Sequence, residues 1–183
     1  MSRPSLLAVL LCILVLPLAA CGGGGGGSST EKTADAPAGG PTPTADEAVA
    51  SLAESISKDR KTKPVVAIPA GGTPAKLTIK DIVPGTGKVA KPGDTVSVQY
   101  VGSSWSTGSE FDASWDKGQP FSFTLGQGDV IKGWDQGVAG MKAGGRRLLV
   151  IPPDLGYGAQ GQPPTIAANE TLAFVVDLES VKK

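Results

Sequence analysis

The sequence contains no histidine, the side chain that most often serves as a general base or as a metal ligand. Only two cysteines are present, Cys12 and Cys21, and both lie near the amino terminus, so none remains to crosslink the rest of the chain. A metal site would need oxygen ligands alone, and no loop of the EF-hand type is present. The composition therefore argues against a metal-dependent function.

The charge balance argues against a second class of function. Lysine and arginine together number 17, aspartate and glutamate also number 17, and the formal net charge is zero. A nucleic-acid-binding protein needs a clustered basic face, so we expect no nucleic-acid partner. The length of 183 residues is enough for one domain and additional segments.

Residues 1–20 have the pattern of a signal peptide. Arg3 precedes an apolar run at 6–16 that is too short to cross a membrane comfortably. The following Leu-Ala-Ala-Cys at 18–21 resembles a bacterial lipobox, which implies cleavage before Cys21, a lipid on its sulfur, and a location on the outer face of the cytoplasmic membrane. The alternative is an ordinary secretory signal in which the cysteine occurs by chance.

A tether is predicted over residues 21–64. Six glycines at 22–27 are followed by serine, threonine, alanine and proline up to residue 43, a composition that cannot form a core. Such a segment is typical of a flexible linker. We therefore divide the chain into a signal peptide at 1–20, a lipid-anchored tether at 21–64 and a folded domain at 65–183.

One helix is predicted inside the tether. Thr44 and Glu47 have the spacing of a capping box, and the pattern that follows predicts a short amphipathic helix over 46–58. Its apolar face consists of Val49, Leu52, Ala53 and Ile56. The pattern is equally compatible with a helix that docks on the domain and with one that does not.

From residue 75 the apolar positions alternate with polar ones, which is typical of strands with one buried and one solvated face in an antiparallel sheet. A further strand is predicted at 147–151. The apolar members of the alternating runs are Leu77 and Ile79, Val96, Val98 and Tyr100, Phe121, Phe123 and Leu125, and Leu172, Phe174, Val176 and Leu178. With one clear helix inside this part, the predicted class is α+β, a curled antiparallel sheet of about five strands around one short helix.

That helix is predicted over residues 130–141, with Asp129 as its N-cap. Three glycines weaken it, so it needs a surface to pack against, and the sheet provides one. Trp134 is either the floor of an apolar pocket between helix and sheet or an ordinary core tryptophan. The apolar residues near helical spacing are Val130, Ile131, Trp134, Val138 and Met141, and the glycines are Gly133, Gly137 and Gly140.

Many separated motifs then occur in a characteristic order. They are Tyr-Val-Gly at 100–102, Phe-Asp-Ala-Ser at 111–114, Pro-Phe-Ser-Phe at 120–123, Gly-Asp-Val-Ile-Lys-Gly-Trp at 128–134, Gly-Met-Lys at 140–142, Gly-Gly-Arg-Arg at 144–147, Ile-Pro-Pro at 151–153, Tyr-Gly at 157–158 and Thr-Leu-Ala-Phe at 171–174. Over residues 75–183 the chain resembles the FK506-binding-protein type of peptidyl-prolyl cis–trans isomerase. The resemblance does not extend to the signal peptide or the tether.

The resemblance implies a site for rotation about the bond that precedes proline. No bond of the substrate breaks in this reaction, so we expect no metal and no other cofactor. The residues implied as catalytic are Asp112, Tyr157, Ile131 and Trp134, with the Ile131 N–H donating to a substrate carbonyl. The residues implied as substrate-binding are Tyr100, Phe111, Phe121, Val130, Ile166 and Phe174, with Ile166 in a loop over the pocket mouth. Each also has a plain structural interpretation. The aromatic residues pack in cores, and Phe123 is expected to do so. Asp112 could simply pair with Lys117, and Tyr157 could cap a turn.

The sequence departs from the family pattern at Lys117 and in the loop over residues 162–168. Lys117 stands where the family often has arginine, and a lysine cannot form the same forked ion pair with Asp112. Ala167 and Ala168 replace a usual pair of prolines. The second change affects the expected affinity for macrolides more than the reaction.

Two functions follow from the resemblance. The first is a monomeric prolyl isomerase that assists the folding of exported, proline-containing polypeptides and binds FK506 or rapamycin. The second is a module that binds proline-containing partners through the same pocket without useful turnover.

Overall fold

The computed structural model describes residues 42–183, which fall within one compact unit. The predicted signal peptide, Cys21 and the glycine run lie outside the described residues. The elements are α1 Ala45–Ser55, β1 Thr78–Val83, β2 Thr95–Ser104, β3 Glu110–Ala113, β4 Phe121–Thr124, α2 Lys132–Val138, β5 Arg146–Ile151 and β6 Leu172–Lys182, with short 3₁₀ helices at Trp115–Lys117 and Pro153–Leu155. Within 42–183 no helix combines the length and the apolar character needed to span a bilayer.

The strands form one antiparallel sheet in the order β1-β5-β6-β2-β3, and β4 pairs with the first half of β2. The α+β class and the curled antiparallel sheet are confirmed, with six strands in the described part instead of about five. The strand missing from the prediction is β3, because its four residues offer only one alternation of polar and apolar side chains.

The helix α2 lies on the concave face of the sheet and is shorter than predicted. It spans only Lys132–Val138, and its N-cap is Ile131, so the N-cap predicted at Asp129 is wrong. The Asp129 carboxylate instead accepts a hydrogen bond from the Thr124 N–H at 3.1 Å. Asp129 therefore closes the turn between β4 and α2, two residues before the N-cap of the helix.

The glycines of α2 permit its close approach to the sheet. A Cβ placed on Gly137 would lie 2.7 Å from a methyl group of Leu149 on β5, and one on Gly133 would lie still closer to Ile151. Atoms do not approach so closely without displacing one another. The same glycines that weaken α2 as an isolated helix therefore let it reach the surface that stabilises it.

The helix α1 docks on the convex face, which decides the alternative that the sequence left open. Its capping box is present, with the Thr44 N–H donating to Glu47 at 2.7 Å. The helix ends at Ser55, three residues before the predicted end. Its apolar face is buried in a second core with Val101, Leu148, Val150 and Val175.

The convex face is therefore not solvated, and the prediction of one wet face is wrong for the central strands. All six residues of β5 are buried, and β6 is buried continuously from Leu172 to Leu178. Leu172, Phe174, Val176 and Leu178 lie in the core on the side of α2, whereas Ala173 and Val175 lie in the core on the side of α1. Both sets are apolar because both faces of these strands are covered.

A buried arginine fastens the segment that follows α1. Arg146 at the start of β5 is fully buried and makes a two-pronged ion pair with Asp177, at 2.6 and 2.7 Å. Its guanidinium also donates to the carbonyl oxygens of Ser57 and Thr62, at 2.6 and 3.3 Å. The division of the chain at residue 65 remains a prediction, but residues 45–62 pack against the same sheet.

Candidate active site

A cavity of about 200 Å³ opens between α2 and the concave face of the sheet. Nine of the ten site residues implied by the resemblance line it, and Asp129 is the only other lining residue. The ten lining residues are Tyr100, Phe111, Asp112, Phe121, Asp129, Val130, Ile131, Trp134, Tyr157 and Phe174. These side chains come from four strands, the start of α2, the turn before it and the loop after β5, so only the fold brings them together.

Trp134 forms the floor of the cavity and is only 4% exposed. Tyr100 and Phe174 meet it edge-on, with ring centroids at 5.1 and 5.3 Å. Edge-to-face contacts of this kind are favourable for aromatic rings and fix their relative orientation. Its Nε1 is buried and has no hydrogen-bond partner within residues 42–183.

Two further phenylalanines form opposite walls. Phe111 meets Phe174 edge-on at 5.5 Å, above a glycine of β2. A Cβ on that glycine, Gly102, would lie 2.6 Å from the Phe174 ring and 2.8 Å from the Phe111 ring, so only glycine leaves room for both. On the other side Phe121 stacks on Phe123 at 5.7 Å and is 40% exposed, whereas Phe123 is buried in the core as expected. The cavity is an aromatic cup with a partly open rim.

Asp112 supplies the polar group of the cup wall and is held by two neighbours. Lys117 lies 2.7 Å from its Oδ1, and the Tyr100 hydroxyl donates to its Oδ2 at 2.5 Å. Burial alone would raise the pKa of Asp112, but the hydrogen bonds from Lys117 and Tyr100 outweigh it and lower this pKa below its usual value. Burial and the bond to Asp112 raise the pKa of Tyr100 to about 12.

The pairing of Asp112 with Lys117 was the plain structural interpretation of that aspartate, and it is present. It coexists with a place in the cavity wall, so the two interpretations are compatible. The hydrogen bond to Asp112 also raises the pKa of Lys117. The pair is therefore fully charged at neutral pH.

Two polar groups of the cavity are left for a ligand. No hydrogen bond among the described residues uses the Tyr157 hydroxyl or the N–H of Ile131. Tyr157 is 36% exposed at the rim, and burial and the charge of Asp112 raise its pKa, so its hydroxyl remains a neutral donor. Ile131 directs its carbonyl oxygen into α2, where the Trp134 N–H donates to it at 2.9 Å.

Ile166 does not line the cup. It is buried and lines two neighbouring clefts, one of which shares Phe111, Asp112 and Tyr157 with the cup. Asp129, in contrast, lines the cup, and the sequence analysis named it only as an N-cap. Its position immediately before Val130 and Ile131, two residues named for the site, was the available signal.

The chemistry available in this cup is rotation, not bond cleavage. An amide loses part of its charge separation when it twists, so an apolar enclosure favours the twisted state over the planar one. The tyrosine hydroxyl and the backbone N–H can donate hydrogen bonds to a bound peptide. The pKa of Asp112 is lowered and those of Tyr100 and Tyr157 are raised, so none of these three groups titrates near neutral pH.

The comparisons agree with this geometry. Residues 87–179 match the family of FKBP-type peptidyl-prolyl cis–trans isomerases. The chain is 59% identical over 120 residues, or 65% of its length, to an FK506-binding protein of Streptomyces anulatus, of which the match covers 97%. It is 47% identical over 118 residues, or 64% of its length, to a probable FK506-binding protein of Corynebacterium glutamicum, of which 98% is covered. This chain therefore belongs to the FKBP-type family and is a peptidyl-prolyl cis–trans isomerase.

Proposed function

We propose that this isomerase acts on proline-containing polypeptides during their export, as a monomer held at the outer face of the cytoplasmic membrane by a lipid on Cys21. The observation that carries the catalytic part is the aromatic cup over Trp134, which is open at its rim. The location is supported by the signal-peptide pattern at 1–20 and by the lipobox at 18–21. Folding outside the cytoplasm includes the same slow proline step, and a catalyst without a cofactor suits that compartment.

In the proposed mechanism the proline ring of the substrate sits on the Trp134 indole, between Phe111 and Phe121. The uncatalysed rotation has a barrier of about 18–20 kcal/mol, and lowering it by about 5–6 kcal/mol accelerates the reaction roughly 10⁴-fold. The cup contributes by excluding water from an amide that becomes less polar as it twists. The binding free energy of the flanking aromatic walls holds the peptide while it does so.

Hydrogen bonds complete the proposed mechanism. The Ile131 N–H donates to a substrate carbonyl and fixes the peptide along the edge of the cup. The Tyr157 hydroxyl donates to a second carbonyl at the rim. Asp112, held by Lys117 and Tyr100, lies beside the rotating amide and favours the charge distribution of the twisted state.

The same cup is the proposed site for macrolides. The relatives from Streptomyces anulatus and Corynebacterium glutamicum are named for FK506 binding, and we extend that property to FK506 or rapamycin in the cup of this chain. Ala167 lines the neighbouring cleft together with Ile166, and Ala168 follows it in the sequence. A smaller contact from this side would lower the affinity without abolishing binding.

The catalytic proposal is tested with a chymotrypsin-coupled assay on an Ala-Leu-Pro-Phe peptide. The full-length chain should accelerate isomerisation, FK506 should inhibit it, and Trp134→Ala should abolish most of it. A matched control is Trp115→Ala, because Trp115 lies with the second core on the convex side. Binding of the peptide without any acceleration would contradict catalysis and would indicate the alternative, a non-catalytic binding module.

The location is tested separately with Cys21→Ser. In cells, the wild-type chain should sediment with membranes and label with a radioactive fatty acid, and the variant should do neither. A variant that remains in the membrane fraction would refute the lipid anchor but would leave the isomerase assignment untouched.

A further inference from the structure

The segment that carries Asp112 into the wall of the cup contains three acidic residues. Glu110, Asp112 and Asp116 lie within the eight residues 110–117, on β3 and the 3₁₀ helix that follows it. The one cation of that stretch is Lys117. One lysine cannot neutralise three carboxylates, so the distribution of its charge among them has to be decided by something else.

A lysine from outside the stretch meets the two outer carboxylates. Lys63 Nζ lies 2.7 Å from Glu110 Oε1 and 2.8 Å from Asp116 Oδ2. Asp116 and then Glu110 raise the pKa of Lys63, so it remains protonated at neutral pH. Lys63 belongs to the segment after α1 and precedes residues 87–179, the part that matches the family.

This arrangement divides the three carboxylates between the two lysines. Lys63 takes Glu110 and Asp116, whereas Lys117 is left at 2.7 Å from Asp112. Within residues 42–183 neither lysine has an ion pair with a carboxylate of the other's set. We propose that Lys63 is a positioning residue of the isomerase site, which keeps Lys117 on Asp112 by occupying the two competing carboxylates.

Asp116 can compete with Asp112 for the Lys117 ammonium because it is the sequence neighbour of Lys117. The Lys117 side chain is 57% exposed and makes one ion pair, and its ammonium also lies 5.9 Å from the centroid of the Tyr100 ring. These two weak contacts leave it able to move. Without Lys63, the Asp116 carboxylate becomes an alternative partner for Lys117. Exposed pairs of this kind differ little in free energy, so Lys117 would divide its time between them and Asp112 would lose part of its support. The inference rests on the proposed role of Asp112 in the reaction.

The first experiment compares Lys63→Met with Lys61→Met in the full-length chain. Lys61 is an exposed lysine of the same segment, and its side chain makes no ion pair with any of the described residues, so its removal should not change the rate. Lys63→Met should lower kcat/KM roughly two- to fivefold, the range that exposed ion pairs allow. Lys63→Arg should retain the wild-type value, because arginine keeps the charge. Equal rates for the two methionine variants would overturn the proposal.

The decisive experiment adds a suppressor. In the double variant Lys63→Met/Asp116→Asn the competitor next to Lys117 in the sequence is gone and only Glu110 remains, so kcat/KM should return to within about twofold of wild type. A role of Lys63 limited to fastening its segment predicts the opposite. If Lys63 only fastens its segment, the segment is already released in Lys63→Met. Adding Asp116→Asn would not restore that attachment, and kcat/KM would stay low. Persistence of the loss in the double variant would therefore refute the charge-sorting role.

Two controls separate this inference from the proposed function. Asp112→Asn tests the aspartate itself, and full activity in that variant would show that the proposed role of Asp112 has failed, whatever Lys63 does. Thermal unfolding of each Lys63 variant should give a melting temperature within a few degrees of wild type, because the two ion pairs are exposed. The same loss in kcat/KM with a large fall in melting temperature would assign Lys63 to stability and overturn its positioning role.

Discussion

The two faces of the sheet are covered to different degrees, and that difference sets apart the face that binds. On the convex face α1 spans eleven residues, and the segment after it is fastened to Arg146, so Leu148, Val150 and Val175 are sealed. On the concave face α2 spans only seven residues. It covers most of the core but leaves the rims of Phe121 and Tyr157 exposed.

The candidate site is therefore the part of a hydrophobic core that its helix, α2, leaves uncovered. Both faces are built from the alternating side chains of the same strands β2, β5 and β6. What differs is the element laid over them. A longer second helix would bury the aromatic cup as thoroughly as α1 buries the other side, and the fold would gain stability but lose its binding site.

The largest expected effect comes from uncovering the convex face. A fragment of residues 65–183 lacks α1 and the carbonyl oxygens of Ser57 and Thr62 that Arg146 uses. Loss of one buried leucine costs about 2–5 kcal/mol, and a whole protein is stabilised by only about 5–15 kcal/mol. We therefore expect no cooperative thermal transition by near-ultraviolet circular dichroism, while a 42–183 fragment retains one. Equal melting temperatures for the two fragments would show that the convex face needs no cover.

A point substitution makes the same test more sharply. Leu52 on α1 is fully buried, so Leu52→Ala should lower the free energy of unfolding by about 2–5 kcal/mol in urea denaturation. Glu54→Ala on the exposed side of the same helix is the control and should change it by less than about 0.5 kcal/mol. Because the cup lies on the other face, kcat/KM of the folded Leu52→Ala protein should equal that of wild type. A lowered kcat/KM would mean that the two faces are coupled.

The fold was largely predictable because period-two alternation and the helical spacing around Trp134 are local signals. The cover of the convex face was not predictable in the same way. Ala173 and Val175 are apolar, but nothing local distinguishes a strand residue under a docked helix from one near solvent. The docking of α1 depends on contacts between residues about 100 positions apart, which no short window contains.

The site was predictable through its resemblance to a family more than through its residues. Aromatic residues alternate in every buried strand, so Phe121 and Phe123 look equivalent in the sequence although only Phe121 lines the cup. Ile166 was placed over the mouth, but it lines the cleft beside it. Lys63 had no signal at all, because its partners are 47 and 53 residues away.

An intermediate effect is expected from the charge on the concave face. Asp112→Asn keeps the shape of the side chain and removes the partner of Lys117. We expect a roughly tenfold fall in kcat/KM, about 1.4 kcal/mol of transition-state stabilisation, with little change in melting temperature because the carboxylate is partly exposed. Asp154→Asn, an exposed aspartate outside the cup, should leave the rate unchanged. A fall in stability without a fall in rate would place Asp112 among the structural residues.

The smallest effect is expected from a change of pH near neutrality. A kcat/KM that does not depend on pH there would support a mechanism without proton transfer. The pKa of Asp112 is lowered, so its carboxylate stays charged until the pH falls below the ordinary range of an aspartate. The pKa of Lys117 is raised and that of Tyr100 is about 12, so the ammonium and the phenol both keep their protons well above neutrality. Between pH 6 and pH 8 Asp112, Lys117 and Tyr100 therefore keep their charge states, and the chain has no histidine.

We therefore expect kcat/KM to vary by less than about twofold over this range, measured with a peptide that does not titrate there and with a direct fluorescence assay, because chymotrypsin itself responds to pH. Lowering the pH through the reduced pKa of Asp112 should then bring a loss that Asp112→Asn does not show. A bell-shaped profile centred near neutrality would mean that the reaction depends on two groups that titrate near pH 7. Rotation inside an apolar cup needs no group that titrates near neutral pH, so such a profile would contradict rotation as the mechanism. It would also contradict the view that the concave face contributes to the reaction through its uncovered aromatic rims.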